Sequence, residues 1–418
     1  MPAGLYFLMQ PCRVHAPGPP AMTTELLLKK DQERRLRAGH CWVYSNEVDT
    51  ARTPLKDLAP GEPVALVSQR GQWLGWGYAN PHSLICARLV SRHREHPLDR
   101  SLLVHRFKIA LGLRERLYAE PYYRLVFGEA DGLPGLVVDR YGDLLVVQIT
   151  TAGMERQRQA VVETLDKVLH PAAILLRNDG AARALEGLEP YVEEALGTVP
   201  DQVEVREAGL SFTVSPVEGQ KTGWFFDQAA NRDRLIKYVA GKRVLDVFSY
   251  VGAWGVRAAV AGAAAVSCVD SSQRALDGVL ANARRNGVAE RVRVQRADAF
   301  TALRDLKAEG ERFDVVVLDP PAFIKRRKDL KEGTLAYRRL NEAALGLLER
   351  DGLLMTASCS FHMERDSLLR VAQQAARHGD RSLQLLEEGQ QGPDHPVHPA
   401  IPETAYLKAL YLRVLPTF

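Results

Sequence analysis

From about Leu235 onward the chain alternates short apolar runs with stretches of helical spacing, which restricts this half to a parallel sheet covered by crossover helices. The expected strands are Arg243–Phe248, Ala265–Asp270, Val292–Arg296, Phe313–Asp319, Leu353–Ser358 and Leu407–Val414. The run Asp314-Val315-Val316-Val317-Leu318 is almost unbroken by polar residues, as suits a strand buried on both faces. In an open α/β sheet, ligands bind beyond the carboxyl ends of the strands. The residues at those ends are therefore the first candidates for function.

Read in order, they form a set. Leu245-Asp246-Val247 runs into Phe248-Ser249-Tyr250-Val251-Gly252-Ala253-Trp254-Gly255, where small residues at Gly252 and Ala253 let a ligand approach the N–H groups of the following helix. The second strand ends in Asp270, an acceptor for ribose hydroxyls. The third is followed by Asp298, placed to read an adenine amino group, and the fourth ends in Asp319-Pro320-Pro321. Each acid alone reads equally well as a helix cap; four at successive strand ends point jointly to a ligand site. A dinucleotide dehydrogenase would need G-x-G-x-x-G to hold a pyrophosphate, and this turn has only Gly252 and Gly255. S-adenosylmethionine carries no phosphate, and a looser turn with several carboxylates suits it.

Five cysteines (Cys12, Cys41, Cys86, Cys268 and Cys359) are scattered with no C-x-x-C pair. That argues against a disulfide framework or a metal site and fits a reducing cytoplasm. Most lone cysteines are inert core residues. Cys359, however, lies in Thr356-Ala357-Ser358-Cys359-Ser360-Phe361 at the carboxyl end of the fifth strand, whereas Cys268 lies inside an apolar strand. Carbon 5 of a pyrimidine is a poor nucleophile, and a thiolate adding to carbon 6 activates it. Such a cysteine is expected to be partly exposed, with a depressed pKa. Asp319 can hydrogen-bond ring nitrogen 3, and Glu403 is the candidate for removing the carbon 5 proton. Two other readings compete. Methyl transfer to an amino group of guanine or adenine also uses Asp-Pro-Pro with an aromatic and needs no cysteine. An RNA-binding ribosome-assembly factor would have lost catalysis, against which the intact set of Asp270, Asp298, Asp319 and Cys359 argues.

At 418 residues the chain is long enough for roughly two to three domains. With 46% hydrophobic and 25% charged residues and no apolar stretch of the ~18–20 residues that cross a bilayer, no membrane association is expected. Residues 1–21 are proline-rich and read as a disordered extension. Residues 22–92 read as a small β-barrel, with strands Glu25–Leu28, Pro63–Ser68, Trp73–Ala79 and Leu84–Val90. Residues 93–205 read as a central α+β domain: helices His96–Tyr118 and Arg156–Leu169, strands Leu136–Asp139, Leu144–Thr150 and Ala173–Arg177. A strand over Gly209–Ser215 follows, within the catalytic domain of residues 206–418. A basic run, Lys325, Arg326, Arg327 and Lys328, comes directly after the Asp319 strand and can hold phosphates around a flipped base. Arg88, Arg92, Arg94, Arg100 and Arg106 extend that surface, and Phe323 or Phe361 can stack on the base.

At these residues the sequence resembles the bacterial 23S rRNA 5-methylcytosine methyltransferases of the large-subunit type. The likeness is carried by Gly128-Glu129-Ala130-Asp131-Gly132-Leu133-Pro134-Gly135-Leu136, Lys221-Thr222-Gly223-Trp224-Phe225-Phe226-Asp227-Gln228, Val247-Phe248-Ser249-Tyr250, Leu318-Asp319-Pro320-Pro321, Ser358-Cys359-Ser360 and Asp394-His395-Pro396-Val397. It implies a PUA domain, a central α+β domain and a Rossmann-like methyltransferase domain. It further implies that Gln228 touches S-adenosylmethionine, that Phe248, Ser249, Tyr250, Gly252, Asp270, Asp298 and Asp319 belong to the cofactor site, and that Cys359 is the nucleophile. The implied partner is 23S rRNA or the large ribosomal subunit in the cytoplasm, with a homodimer left open. The chain departs from the family pattern at Ala229, commonly arginine, and at Phe361-His362.

Overall fold

The structure, a computed structural model, describes residues 23–417; the expected extension over residues 1–21 lies outside the described residues. Five strands, Thr24–Leu27, Trp42–Val43, Glu62–Val67, Trp73–Ala79 and Ala87–Ser91, form the first sheet, with Thr24–Leu27 and Trp42–Val43 at its edges. The segment after Val43 curls back onto the first strand. Lys29 N donates to Glu47 O (2.8 Å) and Asp49 N to Leu27 O (2.9 Å), so the sheet rolls toward the barrel expected for this region. At Gly75, with φ 152°, an added Cβ would lie 2.3 Å from the Ser91 carbonyl oxygen, so only glycine lets the two strands approach there.

A second five-stranded sheet runs Tyr191–Leu196, Ala173–Asn178, Leu144–Ile149, Leu136–Tyr141, Tyr122–Phe127 in spatial order. One face packs under helices Arg100–Leu117 and Arg158–Leu169, burying Leu103, Phe107, Val161 and Leu165 against Leu145 and Val147. Asp99 caps the first of these helices, accepting from Leu102 N at 2.8 Å, which fixes its start four residues inside the expected span. Tyr141, Val146 and Leu175 on the other face join Phe212 of the hairpin Val203–Glu207/Leu210–Val214 and Trp224 in a core continuous with the C-terminal sheet. The two outer strands escape a reading of the sequence. Tyr191–Leu196 carries exposed Glu193 and Glu194, and Tyr122–Phe127 mixes tyrosines with Arg124, so neither shows a clean alternation.

The C-terminal sheet has strands β1 (Arg243–Val247), β2 (Ala265–Asp270), β3 (Val292–Arg296), β4 (Phe313–Leu318), β5 (Leu348–Ser358), β6 (Arg381–Gly389) and β7 (Lys408–Pro416), ordered β3-β2-β1-β4-β5-β7-β6. Its helices are α1 (Ala253–Val260), α2 (Gln273–Arg285), α3 (Ala299–Ala308), α4 (Leu330–Leu345) and α5 (Arg365–His378). Both faces are covered. Val315 and Val317 of β4 join Val256 and Val279 of α1 and α2, while Val316 and Leu318 join Leu303, Tyr337 and Leu368 of α3, α4 and α5. The first five strands are parallel, but β7 runs antiparallel between β5 and β6. This corrects the wholly parallel sheet expected from the sequence, and β6, rich in exposed residues such as Gln384 and Leu386, was not anticipated.

Arg88 is not part of a nucleic-acid surface. It is buried and pairs with Glu186 at 2.9 Å. The same carboxylate accepts from Asn80 Nδ2 (2.7 Å) and Ala152 N (3.3 Å), welding the first domain to the central one. Arg106 is half-buried as well, leaving Arg92, Arg94 and Arg100 exposed. Glu186→Ala strands the Arg88 guanidinium and the Asn80 amide in the interface. It should cost about 3–5 kcal/mol in chemical denaturation, and pairing it with Arg88→Met should recover most of the loss.

Candidate cofactor and nucleophile site

A cavity of about 490 Å³ opens beyond the carboxyl ends of β1, β2, β4 and β5. Its wall begins in the turn after β1, where Phe248 (φ 68°) and Tyr250 (φ 49°) both take left-handed backbone conformations. Non-glycine residues rarely sit there, so the surroundings must hold them. Phe248 N and Ser249 N both donate to Val269 O (2.9 and 3.0 Å), and Tyr250 N donates to Asp270 Oδ2 (3.0 Å). The Tyr250 hydroxyl accepts from Gln220 N and donates to Gly223 O, each at 3.1 Å, tying the turn to the loop that carries Lys221. Ser249 is buried, lines the cavity, and its Oγ has no hydrogen-bond partner among the described residues.

Gly252 does not line the cavity. Its φ of 86° completes the turn, and an added Cβ would meet Val256 and Val279 at 3.1 Å, so it serves the turn and the α1–α2 packing. Ala253 supplies that part of the wall. Asp246, the first strand-end acid, is also outside the cavity. It is buried, accepts from Gly255 N (2.9 Å), and burial pushes its carboxyl up to about 8. Asp270 and Asp298 do line it. Asp270 accepts from Tyr250 N and Ser272 N through different oxygens, leaving lone pairs on both. Asp298 caps α3 at the rim, and its bonds from Thr301 hold its pKa below the ordinary aspartate value.

Asp319 sits deeper. Its Oδ1 accepts from Gln228 Nε2 (2.8 Å) and its Oδ2 from Trp254 Nε1 (3.0 Å), while burial pushes its carboxyl up to about 6. Gln228 Oε1 in turn accepts from Asn231 Nδ2 (2.7 Å), so both ends of this cavity-lining amide are engaged by protein.

Cys359 faces the cavity because its neighbours face away. Ser358 Oγ donates to the Tyr337 hydroxyl (2.8 Å), and Ser360 Oγ lies 3.0 Å from that hydroxyl and accepts from Ile324 N (3.1 Å). The strand's alternation then turns the thiol toward Asp319, Pro320 and Tyr406 on the cavity wall. Its pKa is not depressed. Burial raises it and the charges of Asp319 and Asp227 add to the rise, against an opposing pull from Lys221. Glu403 is exposed in the turn Pro402–Thr404 and lines no part of the cavity, so it is not placed to take a proton there. The residues that a reading of the sequence missed are Lys221, Asp227, Trp254 and Tyr406. Lys221 and Asp227 gave a signal in the string that ends at Gln228, and Trp254 did as a bulky ring among the small residues of the β1 turn, whereas Tyr406 gave none.

Lys325, Arg326, Arg327 and Lys328 are exposed and continue directly from the cavity-lining Pro320-Pro321-Ala322. Arg326 pairs with Asp329 at 3.2 Å. The Phe323 ring packs 4.8 Å from that of Tyr337 and is committed to the core, whereas Phe361 is 40% exposed.

Residues 26–92 match the PUA-like domain family and residues 133–413 the S-adenosylmethionine-dependent methyltransferase family. The protein named ribosomal RNA large subunit methyltransferase I from Erwinia tasmaniensis is 37% identical over 399 residues, covering 94% of this chain and all of that one. Its namesake from Shewanella denitrificans is 38% identical over 398 residues, with the same coverage. Among solved structures, a methyltransferase complexed with SAH superposes with a TM-score of 0.81 at 23% identity, covering 94% of this chain and all of its own. A SAM-dependent methyltransferase from Streptococcus mutans gives 0.79 at 22% identity, again over 94% of this chain and all of its own. These two likenesses establish the shared fold.

Accessibility separates the cysteines. Cys41, Cys86 and Cys268 are buried, and burial pushes each thiol up, whereas Cys359 is only partly buried. Iodoacetamide should label Cys359 before Cys41, Cys86 and Cys268, with mass spectrometry locating the adduct. Its rate should still be climbing at pH 9, since a raised thiol pKa keeps the thiolate a minority there. Lys221→Met should slow labelling several-fold at fixed pH by removing a nearby charge that favours the thiolate.

Proposed function

The chain belongs to the S-adenosylmethionine-dependent methyltransferases of the ribosomal RNA large subunit family, carries a PUA-like domain, and, we propose, methylates carbon 5 of a cytidine in 23S rRNA with Cys359 as the nucleophile. The observation that carries this reading is the placement of Cys359 on the wall of one cavity with Asp270, Asp298 and Asp319. The relatives' name supports ribosomal RNA as the substrate, free or within the large subunit. Among the described residues, no helix is long and apolar enough to cross a membrane.

The donor set fits the cofactor: two cavity-lining carboxylates with spare lone pairs, an unpaired buried hydroxyl, and no glycine-rich cradle for phosphate. Asp270 takes the ribose hydroxyls, Asp298 the adenine amino group, and Phe248, Ser249 and Tyr250 the surrounding surface. Gln228 acts mainly by holding Asp319. When bound, S-adenosylmethionine supplies the electrophilic methyl group. The Cys359 thiolate forms a bond to carbon 6 of the cytosine, which makes carbon 5 nucleophilic, and Asp319 steadies ring nitrogen 3 as charge develops. A carboxyl near 6 exchanges its proton readily around neutrality, as this role requires. After carbon 5 is methylated, solvent water reaching the open cavity takes its proton, and the electron pair left behind expels the Cys359 sulfur as thiolate. Glu403 lies outside the cavity and is not carried over as the base for carbon 5; a different group, Lys408, whose charge interacts with Cys359, is able to take the thiol proton before attack. Burial brings its amine down to about 8, and its Nζ donates to Ser360 O (2.6 Å) and Tyr406 O (2.8 Å). Amino-group methylation is less well supported, because it leaves Cys359 idle on the cavity wall.

Two experiments test this. With 5-fluorocytidine at the target, proton loss is blocked, so wild-type protein should accumulate an RNA adduct that survives denaturing electrophoresis. Cys359→Ala should form none and Cys268→Ala should form it normally; full methylation by Cys359→Ala would replace this mechanism with the amino-group one. Replacing Lys325, Arg326, Arg327 and Lys328 together with alanine should weaken RNA binding and flatten its salt dependence, by roughly 0.7–0.9 in log–log slope per lost phosphate contact, while cofactor affinity holds.

A further inference from the structure

Asp227 is 6% exposed yet lines the cavity beside Lys221, Asp319, Cys359 and Tyr406. Its side chain is fixed on one side only. Oδ2 accepts from the Tyr406 hydroxyl at 2.5 Å, and its backbone carbonyl accepts from Gly392 N at 2.9 Å. Oδ1 has no hydrogen-bond partner among the described residues. Burial works against its charge, but His395, Lys221, the Tyr406 bond and Arg124 outweigh that effect and hold the carboxyl below the ordinary aspartate value. An ionised oxygen left unpaired in a buried site is costly, and native structures keep such groups where a ligand completes them.

We propose that Asp227 is the specificity residue of this site, selecting cytosine by accepting a hydrogen bond from its exocyclic amino group at Oδ1. The inference rests on the cytidine reading above. Cytosine presents a donor at N4 and an acceptor at N3, whereas uracil presents an acceptor at O4 and a donor at N3. A carboxylate is the natural partner of the cytosine amino group and repels the uracil oxygen. Asp319 on the same wall matches the other atom, because a carboxyl near 6 can offer its proton to N3. Together the two acids present the complement of cytosine's edge. A site whose buried groups go unpaired with the wrong substrate rejects it by about 10⁴-fold, more than shape alone achieves.

Asp227→Asn tests the idea. With the Tyr406 hydroxyl donating to the amide oxygen, the amide NH₂ takes the place of Oδ1 and offers a donor where an acceptor stood. On a synthetic RNA spanning the cytidine that the wild-type protein methylates, kcat/KM should fall at least about 100-fold. On the same RNA with uridine there, the uridine-to-cytidine ratio should rise at least about 100-fold. Binding of S-adenosylmethionine and the melting temperature should stay near wild type. Equal losses on both RNAs in Asp227→Asn and Asp227→Ala would mean a merely structural role and overturn the inference. A substrate-side measurement removes dependence on the variant's folding. Wild-type protein given pyrimidin-2-one riboside at the target, which lacks the amino group, should lose at least about 100-fold in kcat/KM, and equal turnover of the two bases would also overturn it. Cytidine methylated with an unchanged ratio refutes only the role of Asp227; methylation of a purine instead, read by nucleoside mass spectrometry, refutes the cytidine reading and this inference with it.

Discussion

The cavity depends on two arginines from a different domain, Arg114 buried and Arg124 half-buried. Arg114, fully buried, grips Asp131 through two bonds of 2.7 and 2.8 Å and the Asp394 carbonyl at 2.7 Å. Arg124 holds Asp139 at 2.8 and 2.7 Å, and Asp139 in turn accepts from Thr222 Oγ1 at 2.5 Å. Asp394 also accepts from Arg124 N at 2.9 Å, joining the two clusters. These contacts explain why Gly128–Leu136, Lys221–Gln228 and Asp394–Val397 are such specific strings. They are the facing parts of one clamp, drawn from three segments, and the contacts of Arg114 and Arg124 with Asp394 span 280 and 270 positions. Buried ion pairs contribute little net stability but are costly to break. Their effect here is positional: they fix the loop carrying Lys221 and Asp227 against the sheet edge that carries Cys359.

A second constraint acts inside the catalytic domain. The turn after β1 holds two aromatic residues in left-handed conformations, each costing of order 1–3 kcal/mol. Asp270 and Val269 compensate by satisfying the N–H groups of that turn. One carboxylate thus shapes the cavity wall and still presents lone pairs to it. The strain is local, and a rigid parallel sheet buried on both faces is what can sustain it.

How much was legible follows from how local each signal is. The five parallel strands read to within a few residues at most boundaries, because apolar runs bounded by turns need no tertiary information. The antiparallel return of β7 did not read, since the direction of a strand is set by what it packs beside. Asp270, Asp298, Asp319 and Cys359 read as a set because topology gathers strand ends, and all four line the cavity. Asp246 followed the same rule and lies outside, because a strand's alternation decides which face an end residue takes. Gly252 read as a turn residue and takes that place, while its neighbour Ala253 forms the cavity wall there. Lys221 and Tyr406 sit on irregular segments with no period, and only the arginine clamp brings them to the site. Arg88 shows the converse failure, a basic residue counted toward a surface that its partner Glu186 hides.

The raised pKa of Cys359 runs against the expectation for a nucleophile, yet the chemistry tolerates it. In thiolate attack, intrinsic nucleophilicity falls as pKa falls, with a Brønsted slope of about 0.4–0.5. One unit of upward shift therefore removes tenfold of the thiolate but returns about threefold in reactivity of what remains. The net loss is small compared with the gain from holding the base in line with the sulfur. A mostly protonated thiol in a cavity open to water is also poorly reactive toward oxidants, which attack the thiolate. Two carboxylates, Asp227 and Asp319, raise this thiol, and Lys221 lowers it. A base that takes a hydrogen bond from Asp319 selects its neutral, protonated form, and one that offers a hydrogen bond to Asp227 spreads that carboxylate's charge; both ease the ionisation of Cys359. On the proposed mechanism, the groups that recognise the substrate are thereby the groups that hold the Cys359 thiol back until it arrives.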